Sequence, residues 1–317
     1  MAWLLVPLAL LIERVVGYPA PLLRVIGHPV IWIGALVSWL ERRLNAGDNR
    51  RLKGVAQLLL LLLTVLAIGL LIVAVTRRVP IGWVLEALLG STLLAQRELG
   101  RAVKAVADGL TLGLAPGRAA VSHIVGRDTE QLDEPGVARA AIESLAESTS
   151  DGVVAPLFWL LIGGLPGILV YKAANTADSM IGHKSERYLE FGWASARFDD
   201  LLNWIPARLT ALLIAAASSF VHGADPERAW STALHDARKH DSPNAGWPEA
   251  AVAGSLGLRL GGPRSYDGMV HELPAFGDGR QHVTASDILK SLELYWTSLN
   301  LLMVVVFALA VVLWRFV

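Results

Sequence analysis

VAQLLLLLLTVLAIGLLIVAVT, residues 55–76, carries only Gln57, Thr64 and Thr76 as polar side chains. At about 1.5 Å of rise per residue, a helix of this length crosses a hydrocarbon core of roughly 30 Å. Working outward, Leu292 to Phe316 forms a second long apolar run, with Trp296 and Trp314 near its ends, where amphipathic aromatics favour the membrane interface. Shorter apolar blocks at 3–16, 29–40, 81–96 and 201–221 are further candidate crossings. Hydrophobic residues make up 54% of the 317, gathered in blocks instead of at core-forming periods. The fold expected is therefore all-α: a polytopic integral membrane protein forming one membrane-embedded domain over residues 1–317.

The loop from Glu41 to Lys53 holds Arg42, Arg43, Arg50, Arg51 and Lys53 against Glu41 and Asp48, so the excess of cations places it in the cytoplasm. Residues 81–96 would then return the chain, leaving 97–150 cytoplasmic as well. The block Gly152 to Tyr171 is interrupted by Gly163-Gly164-Leu165-Pro166-Gly167. Such turn residues predict a helical hairpin, re-entrant or interfacial, whose arms are too short to cross. Residues 222–291 contain no spanning run and read as a loop-rich extramembrane region. The first apolar stretch lacks the basic start and cleavage site of a signal peptide and reads as retained. A net charge of zero gives no reason to expect nucleic acid, and the absence of cysteine removes disulfides, thiolate metal sites and thiol nucleophiles.

Four polar clusters could carry chemistry. In Glu143-Ser-Leu-Ala-Glu147-Ser-Thr-Ser-Asp151, three carboxylates recur every four residues and stack on one helix face. That face wants a cation opposite it, for which magnesium suits an all-oxygen site, although a solvated acidic face has the same spacing. On the second hairpin arm, Lys172, Asn175 and Asp178 or Ser179 share a face. Counted from Leu165, Asp151 lies fourteen residues back and Asp178 thirteen forward, so a hairpin would set them at nearly equal depth. A third cluster holds Arg197, Asp199, Asp200, Asn203 and Arg208, fitting either metal and phosphate binding or a surface ion pair with a snorkelling arginine. The fourth, His235 to Glu249, places Arg238, Lys239 and His240 before a Ser242-Pro243-Asn244 turn that suits an anion. The five-residue spacing of His235 and His240 does not match a helical zinc pair, and Gly182-His183-Lys184-Ser185 is not a phosphate-binding P-loop.

At these clusters the sequence resembles the adenosylcobinamide-phosphate synthase family of cobalamin biosynthesis, known as CobD or CbiB. The matching pieces are His28-Pro29-Val30 with Ile33-Gly34, Glu143 to Gly152, Tyr171 to Met180, and Ala196-Arg197 through Asp199-Asp200. Asn203 with Pro206-Ala207-Arg208, Lys239-His240, Ser242 to Gly246, and Gly261-Gly262 with Tyr266 extend the resemblance over nearly the whole chain. The family commonly has Asn where this chain has Ser148, and an Asp where it has Tyr18.

The resemblance implies an ATP-dependent, magnesium-requiring ligation of aminopropanol or its O-phosphate to the propionate carboxylate of adenosylcobyric acid. It also implies site residues. Metal would fall to Glu143, Asp151, Asp178, Asp199 and Asp200, and nucleotide and phosphoryl binding to Arg197, Arg208, Arg238, Lys239, Asn175 and Asn244. Catalysis would fall to Glu147, Lys172 and His240. The setting implied is the cell membrane, with a cytoplasmic active site, a corrinoid as substrate and self-association left open. Two rivals from other classes are a transporter whose polar motifs line a path, and a magnesium-dependent prenyl-type transferase.

Overall fold

The computed structural model describes residues 4–266 and 268–314. Helix α1 (Leu5–Val15) is followed by α2 (Ala20–Ile26) and α3 (Pro29–Leu44), separated by Gly27 at φ +75°. His28 caps α3 by accepting the Val30 amide on Nδ1 at 3.2 Å, and Pro29 occupies the first turn, where its missing N–H costs nothing. Helix α4 (Arg50–Thr76) is the leucine-rich run, and α5 (Gly82–Ser91), α6 (Gln96–Leu112) and α7 (Leu114–Val121) follow. Helix α8 (Glu134–Thr149) is capped by Asp133, whose carboxylate accepts the Gly136 amide at 2.8 Å. It runs into a π-helical turn, Ser150–Val154, and then α9 (Ala155–Ile181). Helix α10 (Trp193–Ser218), α11 (Pro226–Asp236), a 3-10 turn (Ala237–Lys239) and α12 (Gly246–Leu256) lead to four short strands, β1 (Leu260–Gly261), β2 (Arg264–Tyr266), β3 (Met269–His271) and β4 (Ala275–Phe276). Helix α13 (Ala285–Trp314) ends the described chain.

Among the described residues, five helical segments are long and apolar enough to cross a membrane: Ala20–Leu44, Arg50–Thr76, Glu134–Ile181, Trp193–Ser218 and Ala285–Val312. The protein is an all-α, multi-pass membrane protein. Leu59, Leu60, Leu63, Leu70 and Leu71 are exposed along α4, a patch that water would not tolerate and that lipid accommodates. The long runs read from sequence correspond to α4 and α13, although Arg315 and Phe316 lie outside the described residues.

Two expected crossings, 3–16 and 81–96, are corrected. Helices α1 and α5 have 11 and 10 residues, roughly 15 Å, about half a hydrocarbon core. At the end of α5 the Ser91 and Thr92 hydroxyls donate back to the carbonyls of Leu88 and Leu89 at 2.7 Å. The two short helices pack against each other.

The hairpin break is present within α9. Gly164 adopts φ +59°, ψ −152°, a region essentially reserved for glycine. A Cβ on Gly167 would stand 2.4 Å from the Trp159 carbonyl oxygen, although eight residues along a straight helix span about 12 Å. The chain therefore folds sharply back here, and only a glycine fits at the closest approach.

The chain divides into two compact units. Unit 1 comprises Met1–Ala95, Ala155–Asn203 and Val306–Val317. Its core sets Ile33 and Val37 of α3 and Leu61 and Val65 of α4 against Ala173, Ala177 and Ile181 of α9. Unit 2 comprises Gln96–Val154 and Trp204–Val305. There α8 packs on α6, α7 and α12, and α11 lies along α12. Residues 222–291, expected to be loop-rich, carry α11, α12 and two antiparallel strand pairs, β1 with β4 and β2 with β3.

Candidate functional site

In unit 2, α8 and α12 bring glutamates to one place and the β1–β2 segment brings an arginine. The Glu143 carboxylate accepts the Gly261 amide on Oε1 at 2.6 Å, while Oε2 meets Arg127 Nη2 at 2.8 Å and Arg264 Nη2 at 3.3 Å. The same Arg264 nitrogen stands 3.3 Å from Glu249 Oε2, and Glu249 Oε1 is 3.5 Å from His240 Nε2. The result is a ladder of contacts running Arg127, Glu143, Arg264, Glu249 and then His240. Glu143 and Glu249 are almost fully buried, and the Glu143 ion persists away from water because two guanidiniums and an amide meet it.

The protonation of the last two members follows from their surroundings. His240 Nδ1 accepts the Ser242 amide at 2.9 Å, so in the neutral ring the proton sits on Nε2 and points towards Glu249. Burial, reinforced by the Arg264 charge, holds the histidine below its ordinary value. Burial, reinforced by the Glu143 charge, pushes the Glu249 carboxyl well above the carboxylate range.

A cavity of about 190 Å³ opens beside the cluster, lined by Arg127, Glu143, Ser144, Glu147, Glu249 and Arg264 among others. Glu147 lies one turn beyond Glu143 on α8 and is exposed into this space. Among the described residues it has no hydrogen-bond or ion-pair partner. Expected together on one helix face, Glu143 and Glu147 thus part company: the first is committed to Arg127, Arg264 and Gly261, and the second is available. Asp151 belongs to the π-helical turn after α8, an irregularity often found at functional sites.

Unit 1 gathers a second polar group. Asp199 on α10 is nearly buried and accepts from Asn203 Nδ2 at 2.9 Å and from Asn175 Nδ2 at 3.4 Å, while Tyr171 donates to Asn203 Oδ1 at 2.9 Å. Asp178 and Asp200 lie near enough for their charges to act on Asp199. Lys172 passes 5.7 Å from the Tyr171 ring centre. Among the described residues, no group of three or more His, Asp or Glu side chains is placed to hold a metal ion. Asp178 falls in unit 1 and Asp151 in unit 2.

Three of the remaining basic candidates have structural partners. Arg197 forms a surface pair with Asp200 at 3.7 Å. Arg208 is held between the Trp204 and Trp247 rings and donates to Asn244 Oδ1 at 2.8 Å and to the Pro243 carbonyl at 3.2 Å. Arg208 and Asn244 therefore fix the turn before α12, which carries Glu249. Lys239 pairs with Asp236 at 2.6 Å, and Arg238 is exposed.

Sequence reasoning missed Arg127 and Arg264 and did not single out Glu249. A signal for Arg264 lay in its position between Gly261-Gly262 and Tyr266, both noted for other reasons. Asp128 anchors the loop carrying Arg127, its carboxylate accepting from Ser265 Oγ at 2.7 Å and from the Gly268 amide at 2.8 Å.

The family model described as CobD/Cbib protein matches residues 6–295. A cobalamin biosynthesis protein CobD of Rhodobacter capsulatus is 50% identical over 308 residues, covering 96% of this chain and 95% of its own. Proteins of the same name from a Sinorhizobium species and from Brucella suis are 49% and 46% identical, covering 98% and 96% of this chain and the same shares of their own. No solved structure matches. With similarity running over nearly its whole length, the chain belongs to the CobD/CbiB family.

Proposed function

We propose that this protein is an ATP-dependent ligase of cobalamin biosynthesis. It joins (R)-1-amino-2-propanol or its O-phosphate, as an amide, to the free propionate carboxylate of adenosylcobyric acid. One observation carries the reading beyond the family: Glu147, a carboxylate without a partner, faces a cavity of about 190 Å³. Drug-sized ligands occupy pockets from roughly 300 Å³ upward, so this space, open to the surface, is of a size that suits a small amine. A carboxylate there attracts the ammonium group and accepts the proton that the amine must lose before it can attack.

A carboxylate is a poor acceptor for an amine and must first be activated, which is the role of ATP. The unit 1 group suits the metal that accompanies a nucleotide. Magnesium held largely by phosphate oxygens needs only one or two protein carboxylates, so a preformed three-ligand cage is not required. Asp178 and Asp199 supply hard oxygen donors of the right kind, and Lys172 adds a cation for phosphoryl oxygen. When bound, magnesium would neutralise phosphate charge as it develops. Neither transport nor prenyl transfer gains an observation.

The test is to incubate membranes containing the protein with adenosylcobyric acid, ATP, magnesium and either aminopropanol or its phosphate. The corrinoid mass should rise by that of the amine less water, with phosphate released and no diphosphate. An unchanged corrinoid mass in every combination refutes the reading.

A further inference from the structure

Two of the groups beside the cavity bear on what enters it. Glu147 is the first. Arg127 is the second: it spends Nη2 on Glu143, and its buried Nε–H has no acceptor among the described residues, although the side chain is only 10% exposed. A guanidinium enclosed in protein with donors unused is expensive unless an acceptor arrives.

The geometry relates the two. Glu143 and Glu147 are four residues apart on α8, so their side chains stand roughly 6 Å apart on one face. Arg127 is fixed on Glu143 and lines the same cavity as Glu147, close enough for its charge to act on the Glu147 carboxyl. A ligand that satisfies both has a cation and an anion separated by two or three bonded atoms, within a space too small for anything much larger. A plain amino alcohol satisfies Glu147 alone.

We infer that Arg127 is a specificity-determining residue of the amine site, taking the anionic ester end of an amino-alcohol phosphate while Glu147 takes its ammonium end. The assignment rests on the ligase reading for the identity of the amine. Arg264 lines the same cavity and holds Glu143 in place between the two arginines. The Arg127 fork suits a phosphate oxygen pair, which a lysine point charge would meet less specifically.

Calorimetric binding to the purified full chain in detergent tests this without turnover, using 1-amino-2-propanol O-phosphate, plain 1-amino-2-propanol, glycerol phosphate and inorganic phosphate. The wild type should bind the phosphorylated amine at least about tenfold more tightly than either half alone. Arg127→Gln should bring the phosphorylated and plain amines to within about twofold of each other. Glu147→Gln should weaken both amines and leave glycerol phosphate unchanged. Arg127→Lys, which keeps the charge beside Glu143, should retain part of the discrimination, and since each variant is judged by a ratio between ligands, general loss of folded protein does not mimic the effect. Equal binding of the two amines by the wild type, or undiminished discrimination in Arg127→Gln, overturns the inference. If the phosphorylated amine binds as described while corrinoid mass never changes, the ligase reading fails and the binding site stands. If amide forms but the two amines bind alike, the reverse holds.

Discussion

Glu143→Ala removes the hub on which two guanidiniums and a backbone amide converge. Arg127 and Arg264 are 10% and 14% exposed, so deleting their shared carboxylate leaves charge that water cannot reach; Arg264 retains Glu249, and Arg127 loses its ion pair. Breaking a buried pair by deleting one partner costs about 3–5 kcal/mol. For a unit of this size, each kcal/mol lowers Tm by roughly 2–4 °C, so the expected fall is about 6–20 °C. Glu143→Gln keeps an acceptor for the Gly261 amide and should fall between the wild type and the alanine variant. Glu147→Gln, one helical turn away, disturbs no partner and should stay within about 0.5 kcal/mol of the wild type, while ligation slows by roughly 10²–10⁴. The assay is thermal denaturation of all four proteins in one detergent at one scan rate, since membrane proteins often unfold irreversibly and scan rate then shifts the midpoint. A Glu143→Ala midpoint within 2 °C of wild type, or a Glu147→Gln midpoint as low as that of Glu143→Ala, would sink the division between a structural and a functional glutamate.

The raised Glu249 value means that folded unit 2 holds this proton more tightly than the unfolded chain. That stabilisation is complete below the ordinary glutamate value of about 4.3 and is lost as pH rises through the raised one, so Glu249→Gln should flatten the decline in Tm as pH rises above about 4.3. Parallel slopes would contradict it. Gly164→Ala places a Cβ at φ +59°, ψ −152° and should cost about 1–3 kcal/mol, read as a lower Tm, whereas Gly163→Ala, with no atom within 4 Å of the added carbon, should cost less. Asp199→Asn keeps one oxygen acceptor, for Asn203, but sets an NH2 group against the Asn175 amide, so a modest fall in Tm is expected together with a higher magnesium requirement for half-maximal ligation; an unaltered magnesium dependence would remove Asp199 from the nucleotide site.

The fold was legible where lipid imposes its own rule. A bilayer demands some twenty apolar residues in a row, and α4 and α13 show that demand directly. The same rule misled at 81–96, because hydropathy sums over a window and does not register that the helix there stops at Ser91 after ten residues. At the site, what could be read was whatever one helix carries by itself: Glu143 and Glu147 share a face because four residues make about one turn. Their difference in role could not be read, since it depends on Arg127 and on a backbone amide 118 residues away at Gly261. Charge satisfaction is a tertiary property, and a carboxylate reads as reactive in sequence whether or not the fold brings it a partner. The useful distinction between two neighbouring acids is therefore which of them the fold has already neutralised. By that measure α8 presents one glutamate that builds the cavity wall and one that faces what enters it.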